Sequence, residues 1–306
     1  MDKIITIKGG GYEAKINASR GANCFSLICT EQNVSVLRVP DYSKPLDNVY
    51  LYGMPVLFPQ NRISGGRFEF EGRTYDFGIN EPSTGCFIHG ALHSLPFDVV
   101  DCADDFAVLR YESNGGYVGY SENFAVTLTY RLSGDGLLLE SEIENLSDNN
   151  LPITFGFHTT FNLPFAQGSS AEDVKILAEI EDEIERDMSV YLPTGRIVPF
   201  DHVSRAINDG EFRSTMPISR HYKVGSSGKI EMRDQRAGVT LCYENDEKFK
   251  FRLIYNGNAD GFICIEPISS VADSPNCSLG REYGGFDYVP IGGKKLYCSK
   301  IYLKKG

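Results

Sequence analysis

An all-β fold, a large antiparallel β-sandwich, is what the sequence predicts, and three observations predict it: apolar residues alternate with period two, turn residues separate short runs, and helical periodicity is scarce. In chain order, strands are expected over 24–30 and 34–39, and the segment 68–76 reads as a hairpin turned at Gly72. A further strand falls at 106–112. The clearest alternation runs from Phe124 to Leu132, where large apolar residues take every even position. Ser133-Gly134-Asp135-Gly136 supplies turn chemistry, so 137–144 returns as its antiparallel partner. Strands at 153–158, 239–243, 249–255, 261–266 and 296–303 complete the set. Brief helical candidates occur only at 171–173 and 202–208, which argues against alternating βαβ units.

The totals bound the function. With 42% hydrophobic and 23% charged residues over 306 positions, the chain has the composition of an ordinary globular protein with a sizeable core. A net charge of −11 argues against nucleic acid, whose phosphates require clustered Lys and Arg, and favours a neutral or weakly polar small ligand. The eight cysteines stand singly, without the CxxC spacing of a metal site, and read as reduced thiols. No apolar run approaches bilayer length and the N-terminal residues lack a signal-peptide pattern, so a cytoplasmic protein with no membrane partner is expected. Neither a repeat nor a Pro- or Ser-rich linker divides the chain, so one domain over 1–306 is expected. The acidic run 179–185 reads as a solvated strand face.

Four segments carry candidate chemistry. In Ile153-Thr154-Phe155-Gly156-Phe157-His158, the period of two puts Thr154, Gly156 and His158 on one face, where small neighbours leave room for a ligand beside the imidazole. In Gly261-Phe262-Ile263-Cys264-Ile265-Glu266-Pro267, an apolar strand delivers one carboxylate to its end, and the proline is expected to stop the ladder. Arg62 follows Pro59 and precedes Gly65-Gly66, so a turn can present its guanidinium in a fixed fork. His89 precedes Gly90, which permits close approach to the backbone, and His93 stands four residues on. Each has an ordinary structural alternative: a surface histidine, a carboxylate paired with some arginine, an arginine capping a loop. A zinc site at His89 and His93 lacks a third ligand, so no metal is expected.

Taken in order, Asn61-Arg62-Ile63, Ile88-His89-Gly90, His158 with Phe161-Asn162-Leu163, and Ile265-Glu266-Pro267 resemble the motifs of the aldose 1-epimerase (galactose mutarotase-like) family across most of the chain. Tyr191-Leu192-Pro193-Thr194-Gly195 resembles a further family segment. The resemblance implies a β-sandwich that interconverts the α and β anomers of an aldohexose. It implies Glu266 as general base, His158 as general acid, and Arg62, His89 and Asn61 as sugar-binding residues. There is one departure: a sugar-binding Asp common in the family's middle is missing from Ile218-Ser219-Arg220-His221-Tyr222-Lys223, which bears on the choice of sugar.

That reaction removes a proton from the C1 hydroxyl and delivers one to the ring oxygen, so a positioned base and acid suffice and no cofactor is expected. An unperturbed Glu is ionised at neutral pH, and a His needs only a small push to stay protonated. With no Trp among 19 Phe and 17 Tyr, stacking on the sugar is assigned to Phe161, whose structural alternative is the core. The expected partner is a small sugar, bound by a monomer or homodimer. A noncatalytic carbohydrate-binding protein and an epimerase of a hexose 6-phosphate, hinted at by Arg67, Arg73, Arg220 and Arg281, are the competing readings.

Overall fold

The computed structural model describes residues 2–41 and 48–304 and shows a strand-dominated molecule built from antiparallel sheets. A nine-stranded sheet runs from Asp98–Cys102 through the long central strands Phe124–Ser133, Gly136–Asn145 and Lys294–Lys304 to Phe212–Arg213. The hairpin read from alternation is present, with Phe124 opposite Asn145 and Ser133 opposite Gly136. Val126, Leu128, Tyr130 and Leu132 all enter the core.

A second large sheet positions the site. Its strands lie in the order Leu192–Val198, Ile180–Asp187, Ser219–Val224, Phe251–Tyr255, Phe262–Ile268, Gly156–Phe157 and Val56–Leu57, with Thr160–Asn162 also paired to Phe262–Ile268. Register fixes its faces: Leu253 lies opposite Glu266 and Tyr255 opposite Cys264, so these four side chains project to one side. Ile263 and Ile265 project to the other and join the main apolar core, which draws on residues from Ile7 to Leu303. Ile184, Phe251, Ile268 and Val271 form a smaller cluster.

Several expectations need correcting. The run 153–158 is not one strand: Leu151–Ile153 pairs with Asp287–Val289, and Gly156–Phe157 pairs with Val56–Leu57 and with Ile268. Gly156 makes room for backbone and not for a ligand, because a Cβ there would lie 2.7 Å from the Pro267 carbonyl oxygen. Pro267 does not stop its strand, which continues to Ile268. The N–H groups of Ile265 and Ser269 point to the carbonyls of Thr159 and Phe155, so alternation directs the missing donor of Pro267 to that same side. The ladder to Phe251–Tyr255 therefore loses nothing.

The run 34–39 contracts to Val34–Ser35 plus a bridge from Leu37 to Phe161. Helix is confined to short pieces. Ala171–Asp173 is a single 3₁₀ turn closed by a Ser170–Asp173 capping box. His202–Asp209 is an α-helix capped by Asp201 at its start and by Gly210, in the left-handed region, at its end. Among the described residues no helix is long and apolar enough to cross a membrane.

Candidate active site

Asn61, Arg62, His89, His158 and Glu266 line one cavity of about 310 Å³, together with Tyr50, Glu81, Arg186, Tyr191 and Ser219 among others. The cavity lies on the Glu266 face of the second sheet. Phe161 is not part of it: its ring is fully buried against Tyr243, 5.4 Å between centroids. The cause is register. Phe161 lies opposite Ile263, a core-facing position, while its neighbour Thr160 lies opposite Cys264 on the Glu266 side. Beside the buried ring, the Thr159 hydroxyl meets the Tyr243 hydroxyl at 2.9 Å, so this stretch of chain serves the core.

Each functional side chain is placed by backbone held elsewhere. Arg62 opens the strand Arg62–Ser64, which pairs with Cys86–Ile88 and is tied to Asp273, whose N–H donates to the Arg62 carbonyl at 2.9 Å. The His89 N–H donates to the Asn61 carbonyl, so the two residues are fixed together. Asn61, His89 and Tyr191 all take left-handed backbone, with φ of 51°, 63° and 59°. Such conformations persist in non-glycine residues only where the surroundings enforce them, and three of the ten found among the described residues line this cavity. Gly90 admits the Phe58 carbonyl, which would lie 1.8 Å from a Cβ, so the close approach expected there is made by the protein's own backbone. His158 follows Gly156–Phe157, and its N–H donates to the Pro55 carbonyl at 2.9 Å.

At the centre, His158 Nε2 lies 3.3 Å from Glu266 Oε1. Both groups are buried, with 6% and 1% of their surfaces exposed. Glu266 Oε2 and His158 Nδ1 have no hydrogen-bond partner among the described residues. Burial pushes Glu266 up to about 8, against the pull of the Arg186 and Arg62 guanidinium groups. Burial also holds His158 down at about 4. Both directions oppose the sequence expectation of an ionised Glu and a protonated His: in the free cavity the carboxylic acid and the neutral imidazole are favoured.

The surroundings are as ordered. Arg62 donates from Nε and Nη2 to Glu81 at 2.6 and 2.7 Å, and Thr84 donates to the same carboxylate. The Arg62 guanidinium also lies 4.8 Å from the Tyr191 ring centroid. Tyr50 stands between His89 and His93, at 4.5 and 4.6 Å between ring centroids, and 6.0 Å from His158. Burial keeps His89 well below the usual histidine range. Where the resemblance leads one to look for an Asp, the strand Ser219–Val224 offers Ser219, which accepts from Arg186. His221, on the same strand, is buried without a partner for either ring nitrogen among the described residues.

Sequence patterns give no role to Tyr50, Glu81, Arg186, Tyr191 or Ser219, all of which line the cavity. Tyr191 and Ser219 lie inside segments weighed for the family resemblance, whereas Arg186 directly follows an acidic run that reads as a solvated face. Arg67, Arg73, Arg220 and Arg281 do not line the cavity. Arg73 lies 3.3 Å from Glu122, Arg220 binds Glu183 and Asp201, Arg67 lies 3.9 Å from Glu69, and Arg281 donates to the Glu69 carbonyl.

The profile of the family described as aldose 1-epimerase matches residues 3–285. The crystal structure of a galactose mutarotase-like protein from Clostridium acetobutylicum superposes with a TM-score of 0.93 at 28% identity, covering 100% of this chain and 96% of that one. An uncharacterized protein of Escherichia coli, YphB, is 23% identical over 255 residues, 80% of each chain. An aldose 1-epimerase of Haemophilus influenzae is 25% identical over 169 residues, 54% of this chain and 47% of that protein.

Proposed function

The chain belongs to the aldose 1-epimerase family, and from that premise we propose that it is a mutarotase, interconverting the anomers of an aldohexose with Glu266 as base and His158 as acid. The observation that carries the reading is the 3.3 Å approach of His158 Nε2 to Glu266 Oε1 in a cavity that also holds Arg62 and His89. The anomeric hydroxyl and the ring oxygen share one carbon. A base and an acid in contact with each other therefore reach both oxygens of one sugar.

The pair holds one proton. Burial favours it on Glu266, and passing it to His158 yields the carboxylate and imidazolium that the reaction uses; Arg62 and Arg186 favour that carboxylate. Glu266 then takes the proton of the C1 hydroxyl as His158 protonates the ring oxygen, C1=O forms and the ring bond breaks. Rotation about C1–C2 and reversal of the same transfers close the other anomer. Arg62, held in orientation by Glu81, and His89 with Asn61 donate to or accept from the sugar's oxygens. A hydroxyl donating to Glu266 Oε2 satisfies an otherwise orphaned buried acceptor.

The chain acts as one folding unit in this reading, and its eight unpaired cysteines suit a reducing compartment such as the cytoplasm. Polarimetry on freshly dissolved α-glucose and α-galactose tests the proposal. Rotation should relax faster with protein than in buffer, and Glu266→Gln should abolish most of the acceleration. Relaxation at the buffer rate for these and other aldoses, despite sugar binding, would leave a carbohydrate-binding protein instead.

A further inference from the structure

Two guanidinium groups line the cavity, and their surroundings differ. Arg62 has a bidentate carboxylate partner in Glu81. Arg186 has no carboxylate within 4.0 Å among the described residues. Its Nη2 donates to the Ser219 carbonyl and to Ser219 Oγ, the latter at 3.0 Å, which fixes the side chain without neutralising it. Nε and Nη1 take no acceptor among the described residues, which leaves donors unused on a side chain that lines the cavity.

Arg73, Arg110 and Arg220, also partly buried, each lie within an ion pair; Arg252, buried and not part of the cavity lining, instead gives Nη2 to the Gly228 carbonyl. Burial lowers Arg186 to about 10, with Arg62 adding repulsion and Glu266 opposing it. The group stays charged at neutral pH. With Arg62 matched by Glu81 and Glu266 held toward its neutral acid, the cavity keeps an uncompensated positive charge inside a chain of net charge −11. A buried cation without a counter-charge is destabilising, and a ligand that brings one relieves it.

We propose that the substrate is an aldose bearing a carboxylate, a hexuronate, whose anionic group is bound by Arg186. The inference rests on the mutarotase reading for its chemistry but not for its charge preference. A carboxylate brings one negative charge to one unmatched guanidinium. A phosphate dianion would leave a second charge unmatched beside Glu266, and the arginines that could have answered it, Arg67, Arg73, Arg220 and Arg281, are engaged outside the cavity.

The test compares D-glucuronate, D-glucose and D-glucose 6-phosphate as anomerisation substrates by NMR exchange. Glucuronate should exceed glucose in kcat/KM by about tenfold or more, as a charge-assisted contact gives. Arg186→Met should collapse that ratio, and Arg186→Lys should retain part of it. Binding of methyl β-D-glucuronide against methyl β-D-glucoside, which cannot open, gives an arm independent of catalysis. Tighter uronide binding with no anomerisation of any sugar would sustain the charge preference and sink the mutarotase reading. Equal binding of the two glycosides overturns the inference, as does a preference for the phosphate over the uronate. Should Arg186→Met fail to fold by circular dichroism, the wild-type comparisons decide alone.

Discussion

Replacing Glu266 by Gln separates the cost of burying this carboxyl from its use. Burial raises its pKa from 4.5 to about 8, so the folded state holds a proton that the unfolded state releases above 4.5. The stability associated with the protonated form is fully present below pH 4.5 and is lost as pH rises through about 8. At about 1.4 kcal/mol per pH unit, the loss between pH 6 and pH 9 comes to about 3 kcal/mol for a fully buried group. Gln keeps the shape and does not titrate. Urea unfolding followed by circular dichroism at pH 6 and pH 9 should therefore show Glu266→Gln gaining on the wild type by about that amount, while polarimetry shows a loss of roughly 10²–10⁴-fold in rate. Parallel losses of stability in the two proteins over this range would refute the burial argument.

Other perturbations address the surroundings. His93 and His158 are held down at about 4 and His221 at about 3 by burial, so the stability they contribute is present above about 6.5 and is lost as pH falls toward those values. His221→Leu should flatten the fall in stability between pH 6.5 and pH 4 by about 1.4 kcal/mol per pH unit, measured by urea unfolding. Glu81→Gln removes the charge that orients Arg62 and should cut kcat/KM by about tenfold with little change in melting temperature. Phe161→Ala should cost about 3–5 kcal/mol in unfolding free energy and leave KM for the sugar unchanged in the folded protein; a raised KM without loss of stability would return Phe161 to the site.

Much of the fold is legible because half-buried strands write their faces into the sequence. Phe106–Glu112 is a strand over the residues expected, and the Phe124 hairpin keeps its expected pairing. The side of its strand on which Glu266 projects, opposite Ile263 and Ile265, also follows from alternation. What escapes sequence reasoning depends on neighbours remote along the chain. Pro267 reads as a terminator because nothing local says which side of the ladder needs its donor. Phe161 reads as available because its burial is decided by Tyr243, and Arg186 goes unnoticed because its position under Ser219 is set by sheet register. The protonation of Glu266 and His158 is misread for the same reason: desolvation is a property of the assembled cavity.

The strand Phe262–Ile268 lies between Phe251–Tyr255, which precedes it directly, and Gly156–Phe157, from the middle of the chain. It is a keystone. Until it seats, the imidazole and the guanidinium of Arg186 belong to separate unfinished edges, and a growing polypeptide that has already made His158 lacks the carboxyl group that stands 3.3 Å from its ring. The cavity is thus closed by the same long-range pairing that completes the sheet, a kind of contact that slows folding in general.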